Sequence, residues 1–394
     1  MPNPSNPFSS IKASKVILPA VIGLGVVAYF FYREFDPDVF GRMTFTWVSA
    51  LWIFVAFLCM AGRDFGYMIR IRVLSDWKLN WRQAFRVIML WEFTSAVTPS
   101  SIGGTSVATM YVYKEGISVG RSSAIVMMTS LLDEIYFVLM FPLLILLVGT
   151  GTLFAIPDSP AWTHGIMTVA LIGYGIKLIW VLALSYGLFL NPRGLGKLIY
   201  GIFHLPVLRR WKRGAGKAAL DIIVSSKEMK SRKPKFWFNA LLSTFLSWTS
   251  RYWVVNFMFL AFFAVHDHFL VFARQLVMWI VLLVSPTPGG SGVAEFTFSI
   301  FLGDFIPIAG FAIALAFLWR LITYYPYLII GALMVPKWIN DKFKVSGSRF
   351  QVSGSKFQVP SFQSTNPNGI AIAEGKPETP GLNPAGIAES KLET

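Results

Sequence analysis

The chain has 394 residues, of which 55% are hydrophobic and only 14% charged, and it carries a formal net charge of +15. Soluble domains are about 25% charged, and a water-soluble fold could not hide so much apolar surface. The composition therefore excludes an ordinary soluble protein. The positive charge does not indicate nucleic-acid binding, because Lys and Arg accumulate in the cytoplasmic loops of membrane proteins.

Long apolar runs predict transmembrane helices, because about 20 apolar residues cross the hydrocarbon core of a bilayer. Lys12 and Lys15 precede the first run without a convincing cleavage site, which predicts an uncleaved span and a cytoplasmic N-terminus. Six runs are predicted to be full spans: about 16–32, 43–62, 122–149, 165–190, 236–263 and 308–335.

The charges of the loops predict the orientation of these spans. Loop 191–235 holds twelve Lys or Arg against two acidic residues, so it is expected to be cytoplasmic, where it could also bind anionic lipid. Loop 63–82, with Arg63 and Arg70 among its bases, is expected on the same side. Loop 150–164 has no Lys or Arg and is expected outside. We therefore predict a multi-pass protein of the inner (cytoplasmic) membrane with both termini cytoplasmic.

Two further segments, 84–113 and 272–303, must each cross the membrane an even number of times if the flanking loops lie as predicted. Neither is long enough for two full spans, and each has a break rich in Pro, Gly and Ser. Backbone of this kind is tolerated at membrane depth only where protein or a wet cavity surrounds it. We predict two re-entrant helical hairpins, one from each face, giving eight hydrophobic units in an all-α integral membrane protein.

The two breaks resemble each other. Val97–Ala108 reads VTPSSIGGTSVA and Val284–Glu295 reads VSPTPGGSGVAE, and both carry Pro, Gly-Gly, a small polar residue and Val-Ala. A charged residue follows each Gly-Gly at a similar spacing, Asp133 in the first half and Arg320 in the second. This predicts an inverted-topology repeat with halves at about 43–149 and 236–335, a recurrent design of transporters. The alternative is a chance likeness of two Gly/Pro-rich loops.

Ionisable residues within the apolar segments need an explanation, because each costs about 2.5–3.5 kcal/mol at the centre of a membrane helix. We predict an ion pair between Arg320 and either Asp133 or Glu134 near the hairpin tips, with Arg251 as a further member. The alternative is that such pairs only fasten helices together, and Lys177 could extend to the membrane surface. The full set is Glu92, Asp133, Glu134, Lys177, Arg251, Glu295 and Arg320.

The candidate substrate-binding and translocation residues come from the breaks and from these charges. Proline ends the helices, glycine permits sharp turns, and the freed N–H groups at a half-helix start can bind an anion such as a lipid phosphate. The candidates are Pro99, Gly103, Gly104, Asp133, Glu134, Arg251, Pro286, Pro288, Gly289, Gly290, Gly292, Glu295 and Arg320.

Three motifs carry a resemblance to a known family: PTPGGSGVAE at Pro286–Glu295, TPSSIGGT in the first half and LWRLITYY at Leu318–Tyr325. In these motifs the chain is similar to the lysylphosphatidylglycerol synthase transmembrane region, also called the flippase-like or UPF0104 membrane family, over roughly residues 15–340. The resemblance implies movement of aminoacylated phospholipid between leaflets in larger relatives, and a link to polyprenyl-linked or hopanoid lipids in others.

Two departures from the family pattern matter. Larger relatives carry a soluble aminoacyl-transferase domain after the membrane part, whereas a low-complexity stretch follows here, so lipid lysylation by this chain alone is not expected. Many relatives also have Glu-Arg before the acidic residue of the span after the first hairpin, where this chain has Leu131 and Leu132. The charge pairing in that span is therefore expected to differ.

We expect a protein that binds and translocates a phospholipid or lipid-linked head group. A membrane-embedded lipid-modifying protein and a non-transporting envelope scaffold are the alternatives. No catalytic residue, metal or cofactor is assigned, since Cys59 is the single cysteine and no Walker-type loop occurs. Membrane lipids, anionic or lipid-linked, are the expected partners and nucleic acid is not, while a homo-oligomer and a separate lipid-synthesis enzyme stay open.

The predicted organisation has three parts. Residues 1–15 are a cytoplasmic N-terminus, and 16–340 are a flippase-like transmembrane domain. Residues 341–394 are a disordered cytoplasmic tail, because VSGSRFQ at 345–351 recurs as VSGSKFQ at 352–358 before a stretch rich in Pro, Gly and Asn.

Overall fold

A computed structural model describes residues 45–98, 101–155, 160–194, 232–282, 293–307 and 311–343, with isolated positions elsewhere. The described ranges lie within one compact unit, Met1–Gly347, and every regular element in them is a helix. The α-helices are α1 (Trp47–Leu74), α2 (Trp81–Val97), α3 (Ser101–Lys114), α4 (Val119–Val148), α5 (Thr150–Leu153), α6 (Pro160–Phe189), α7 (Pro234–Leu260), α8 (His268–Leu282), α9 (Val293–Leu302), α10 (Phe311–Thr323) and α11 (Tyr325–Phe343).

Four helical stretches among the described residues are long and apolar enough to cross a membrane. They are Trp47–Leu74, Val119–Val148, Thr163–Phe189 and Phe311–Asp341. Helix α7 is also 27 residues long, but serine, threonine and Arg251 make it more polar. A multi-pass membrane protein follows from these helices, because the large apolar side chains of α6 remain exposed on the protein surface.

Helix α1 packs more extensively against α7 than against any other described element. Gly62 and Gly66 form a GxxxG pattern on α1, and Gly66 lies against Ser247 of α7. Small residues at such a crossing let two membrane helices approach closely. The α1–α7 contact is the most extensive helix–helix contact in the described part of the chain.

Helices α2 and α3 are an antiparallel pair. At one end, Gln83 donates to the carbonyl of Glu115 at 3.3 Å and Arg86 donates to its carboxylate at 3.2 Å. Nearer the connection, the hydroxyls of Thr94 and Tyr111 lie 2.6 Å apart. The start of α2 and the end of α3 thus lie side by side, and helices of 17 and 14 residues are only about 25 and 21 Å long.

Helices α8 and α9 form a second pair. Its open end, where the chain enters α8 and leaves α9, points in the opposite direction from that of the α2–α3 pair. Arg274 of α8 donates to the carbonyl of Phe301 at 3.2 Å and to Asp304 at 2.8 Å. It also donates to the carbonyl of Thr152, just beyond the end of α4. The open end of the α2–α3 pair adjoins the start of α4 instead, because Lys114 precedes Val119 by a short turn. The two pairs therefore open toward opposite ends of α4.

The helix boundaries of the two halves follow one spacing. Trp47 and Pro234, which begin α1 and α7, are 187 residues apart, and so are Trp81 and His268, which begin α2 and α8. Each half then continues with a second short helix and a longer helical stretch. The order and spacing of helices are thus alike in the two halves.

Two predicted boundaries are wrong. The span expected at 43–62 continues as helix to Leu74, so Arg63 and Arg70 lie within α1 and not in a loop. The span expected at 308–335 is divided at Tyr324 into α10 and α11, which reach Phe343. Charge alone misplaced the end of α1, because carboxylates within the helix bundle bind both arginines. The first span at 16–32 and nearly all of the tail lie outside the described residues.

Candidate functional site

Contacts join the two short-helix pairs at their inner ends, where the chain connects the two helices of each pair. Glu295 lies in the first turn of α9, where a negative charge complements the helix dipole. Arg320 of α10 donates through Nε to Glu295 at 2.8 Å, and its guanidinium lies 4.1 Å from the ring centre of Tyr324. The Tyr324 hydroxyl donates to the carbonyl of Ala96, one residue before the end of α2, at 2.9 Å. The break between α10 and α11 therefore touches both pairs.

A second cluster surrounds Arg63 of α1. Its guanidinium binds Glu92 of α2 at 2.7 Å and Asp64 at 2.9 Å. Tyr327 of α11 donates to both carboxylate oxygens of Asp64 at 2.9 Å. Tyr67 lies one turn along α1, with its ring centre 4.5 Å from the Arg63 guanidinium. This cluster connects α1, α2 and α11.

A third cluster surrounds Asp133 of α4. Arg70 donates to its two carboxylate oxygens at 2.5 and 3.3 Å, and the indole of Trp248 donates to it at 2.7 Å. Arg70 also donates to Thr244 of α7 at 3.2 Å and lies 4.5 Å from the ring centre of Tyr67. Tyr67 therefore lies between the Arg63 and Arg70 clusters, and the polar region is continuous along one face of α1.

The predicted pair of Arg320 with Asp133 or Glu134 is wrong. Asp133 pairs with Arg70, and Glu134 pairs with Lys177 of α6. Adjacent residues on a helix point about 100° apart, so Asp133 faces α1 and α7 while Glu134 faces α6. Lys177 is 8% exposed and does not extend to the membrane surface.

Arg251 of α7 does not join these ion pairs. Its guanidinium lies 5.1 Å from the ring centre of Trp279 and 6.0 Å from that of Trp248. No carboxylate in the described part of the chain lies within ion-pair distance of it. It is partly exposed, unlike Arg63 and Arg70. Among the described residues, the close contacts of the Arg251 guanidinium are with aromatic rings.

The carboxylates are the accessible members of their pairs. The side chains of Asp64, Glu92 and Asp133 are 19, 22 and 24% exposed, whereas those of Arg63 and Arg70 are 3% exposed. A carboxylate with an accessible oxygen can accept a further hydrogen bond from a cationic group. These carboxylates can therefore bind an external cationic group in addition to their internal partners.

The structure describes part of the predicted site. It places Asp133 and Glu134 on α4, Arg251 on α7, Glu295 on α9 and Arg320 on α10. Gly103 and Gly104 lie in the first turn of α3. The predicted residues Pro99, Pro286, Pro288, Gly289, Gly290 and Gly292 lie outside the described residues.

Sequence reasoning missed the arginines that hold the acidic residues. Arg63, Gly66, Tyr67 and Arg70 are spaced at i, i+3, i+4 and i+7, which places them on one helix face. That spacing, next to an apolar run, is the signal that could have identified the face as buried. Charge counting assigned the same arginines to a cytoplasmic loop.

Paired short helices and buried ion pairs within an apolar bundle define a polytopic helical membrane protein with a polar centre. Residues 16–331 match the family described as the lysylphosphatidylglycerol synthase TM region, and the chain belongs to that family. A UPF0104 membrane protein of Archaeoglobus fulgidus is 26% identical over 295 residues, which cover 72% of this chain and 86% of that protein. No solved structure matches the chain.

Proposed function

We propose that the protein binds a phospholipid or lipid-linked head group and moves it across the cytoplasmic membrane without nucleotide hydrolysis. The observation that carries the proposal is the series of contacts from Ala96 through Tyr324 and Arg320 to Glu295. It runs between the inner ends of two short-helix pairs that open toward opposite ends of α4. A polar centre reached by broken helices from both sides is the arrangement that alternating access uses.

The proposal includes six full spans, two re-entrant hairpins and an inverted repeat, with both termini cytoplasmic. Helices of 14 to 17 residues in the α2–α3 pair support re-entry, because each is shorter than a typical full span. The shared spacing of 187 residues between helix starts supports the repeat. Opposite open ends support the inversion.

In this proposal a passing head group replaces internal partners in turn. Its cationic groups bind the accessible carboxylates, among them Glu92 and Asp133, while Arg320 separates from Glu295 as one hairpin moves relative to the other. Glu134 and the prolines and glycines of the two breaks are proposed to line the same route. Each internal pair that opens is replaced by a pair with the lipid, so no charge is left unpaired in the hydrocarbon region.

The test is lipid movement in vesicles reconstituted with the purified chain. Phosphatidylethanolamine that is labelled on an acyl chain keeps a head group with both an amine and a phosphodiester. It is placed in both leaflets and quenched from outside, and the quenched fraction measures exchange between leaflets. We expect the wild type to make nearly all of the label accessible, and Glu295→Gln to slow this at least about tenfold, since it removes one charge of a buried pair.

The matched control is Asp304→Asn, which neutralises the carboxylate partner of Arg274, another arginine of the same half. Arg274 binds Asp304 at 2.8 Å, the distance at which Arg320 binds Glu295, but it does so at the open end of the α8–α9 pair. We expect Asp304→Asn to transport at the wild-type rate. Equal rates for Glu295→Gln and wild type, with both chains folded by melting temperature, would refute the proposed route.

A further inference from the structure

Among the arginines in the interior of the described helices, Arg251 makes no ion pair with a described carboxylate. Arg63, Arg70 and Arg320 each bind at least one carboxylate within 2.9 Å. Within the described residues Arg251 makes no hydrogen bond and no ion pair, although a guanidinium carries five N–H donors. Because it is partly exposed and lies in the middle of α7, those donors remain available to a ligand from the membrane.

The spacing of the two halves shows where a carboxylate would be expected. Position 279 follows position 92 by 187 residues, the spacing that relates the helix starts, and Arg251 follows Asp64 by the same number. In the first half Glu92 binds the arginine of α1. In the second half Trp279 lies at that position and presents a ring face to Arg251 at 5.1 Å. At these two positions the first half has the acids Asp64 and Glu92, whereas the second half has an arginine and a tryptophan and no carboxylate.

We propose that the phosphodiester of a lipid head group binds Arg251 and takes the place that Glu92 occupies in the first half. A guanidinium matches phosphate oxygens with two parallel hydrogen bonds. The ring centres of Trp248 and Trp279 lie 6.0 and 5.1 Å from the guanidinium and 5.5 Å from each other, so both rings lie on one side of it. The buried hydroxyl of Tyr252, the next residue on α7, has no hydrogen-bond partner among the described residues. This inference rests on the proposed function for its choice of a lipid.

Binding is measured on the full chain in detergent by native mass spectrometry, with three probes. Dihexanoylphosphatidylglycerol carries the phosphodiester, dihexanoylglycerol lacks it, and inorganic phosphate lacks the acyl chains. We expect the first probe to bind most tightly. Arg251→Gln should weaken its binding at least about tenfold, the loss expected for a charge-assisted contact, and Arg251→Lys should restore part of it.

A pair of variants at Trp279 separates electrostatics from packing. Trp279→Glu supplies the carboxylate that the second half lacks and should bind Arg251 internally, whereas Trp279→Gln has nearly the same shape without the charge. We expect the Glu variant to bind phosphatidylglycerol at least about tenfold more weakly than the Gln variant. The melting temperature of the Glu variant should equal or exceed that of the Gln variant, because the Glu variant gains an ion pair. A comparison between these two chains does not depend on the loss of the indole.

Equal affinities of the two Trp279 variants would overturn the proposal, as would unchanged binding by Arg251→Gln. Inorganic phosphate that binds as tightly as the lipid would overturn the assignment to a head group. The binding measurement needs no transport. If Arg251→Gln lost binding and the wild type moved no lipid, the proposed function would be refuted and the proposed binding site would be supported.

Discussion

Asp133 accepts a hydrogen bond from Arg70 at 2.5 Å and another from the indole of Trp248 at 2.7 Å, so one carboxylate fastens α4 to both α1 and α7. Removal of one member of a buried pair leaves the other charge uncompensated. We therefore expect Asp133→Asn to lower the free energy of unfolding by about 3–5 kcal/mol. Denaturation in mild detergent, followed by circular dichroism, measures this loss.

A double variant tests whether the loss comes from the pair. Arg70→Met and Asp133→Leu together remove both charges, and we expect the double variant to be more stable than either single one, since neither charge is left alone. Additive losses would show that Arg70 and Asp133 act independently. Such a result would contradict the interpretation of the cluster as a fastening between helices.

The α1–α7 contact allows a matched comparison of two glycines. A Cβ on Gly66 would lie 2.9 Å from the carbonyl oxygen of Ser243 and collide with Ser247, whereas a Cβ on Gly62 would meet only Ser250 at an ordinary 3.5 Å. We expect Gly66→Ala to cost about 1–3 kcal/mol, the range for overpacking. Gly62→Ala should be nearly neutral. Melting temperatures in one detergent compare them, and equal melting would contradict the close approach at Gly66.

The turn after α1 contains two consecutive residues in the left-handed region, Asp76 at φ 55° and Trp77 at φ 59°. The Asp76 carboxylate binds Arg121 at 2.9 Å and Arg232 at 2.7 Å. Asn tolerates this backbone conformation and Ala does not. We expect Asp76→Ala to lower the melting temperature more than Asp76→Asn, since only Ala adds strain to the loss of two ion pairs. High salt should reduce the effect of the Asn change, and equal melting of the two variants would argue against strain.

Composition and apolar run length were sufficient to predict a multi-pass helical membrane protein, because the cost of exposed backbone in hydrocarbon leaves few other solutions. Helices α2 and α8 also begin within a few residues of the predicted starts of segments 84–113 and 272–303. The partners of the buried charges could not be predicted in the same way. Pairing depends on which helix faces which, and one position along α4 changes the direction of a side chain by about 100°.

Arg63 and Arg70 show where the charge rule fails. The rule assigns arginines near the end of an apolar run to the cytoplasm, and it holds only while no carboxylate is available within the membrane. Here Glu92 and Asp133 are available, and α1 continues past both arginines to Leu74. A basic residue near the end of a span therefore indicates the orientation of that span only if no carboxylate within the membrane pairs with it.

The proposed topology predicts which turns share a side of the membrane. In a Cys59→Ala background, single cysteines replace Lys78, Ser118, His266 or Pro307, all of them exposed positions at the open ends of the two short-helix pairs. A membrane-impermeant maleimide applied to intact cells and to inverted vesicles identifies the side of each. We expect Lys78 and Ser118 to react only in inverted vesicles, and His266 and Pro307 only in intact cells, because each pair returns to the face from which it starts. Opposite sides for Lys78 and Ser118 would make the α2–α3 pair an odd crossing. That result would remove the inversion on which the transport route depends.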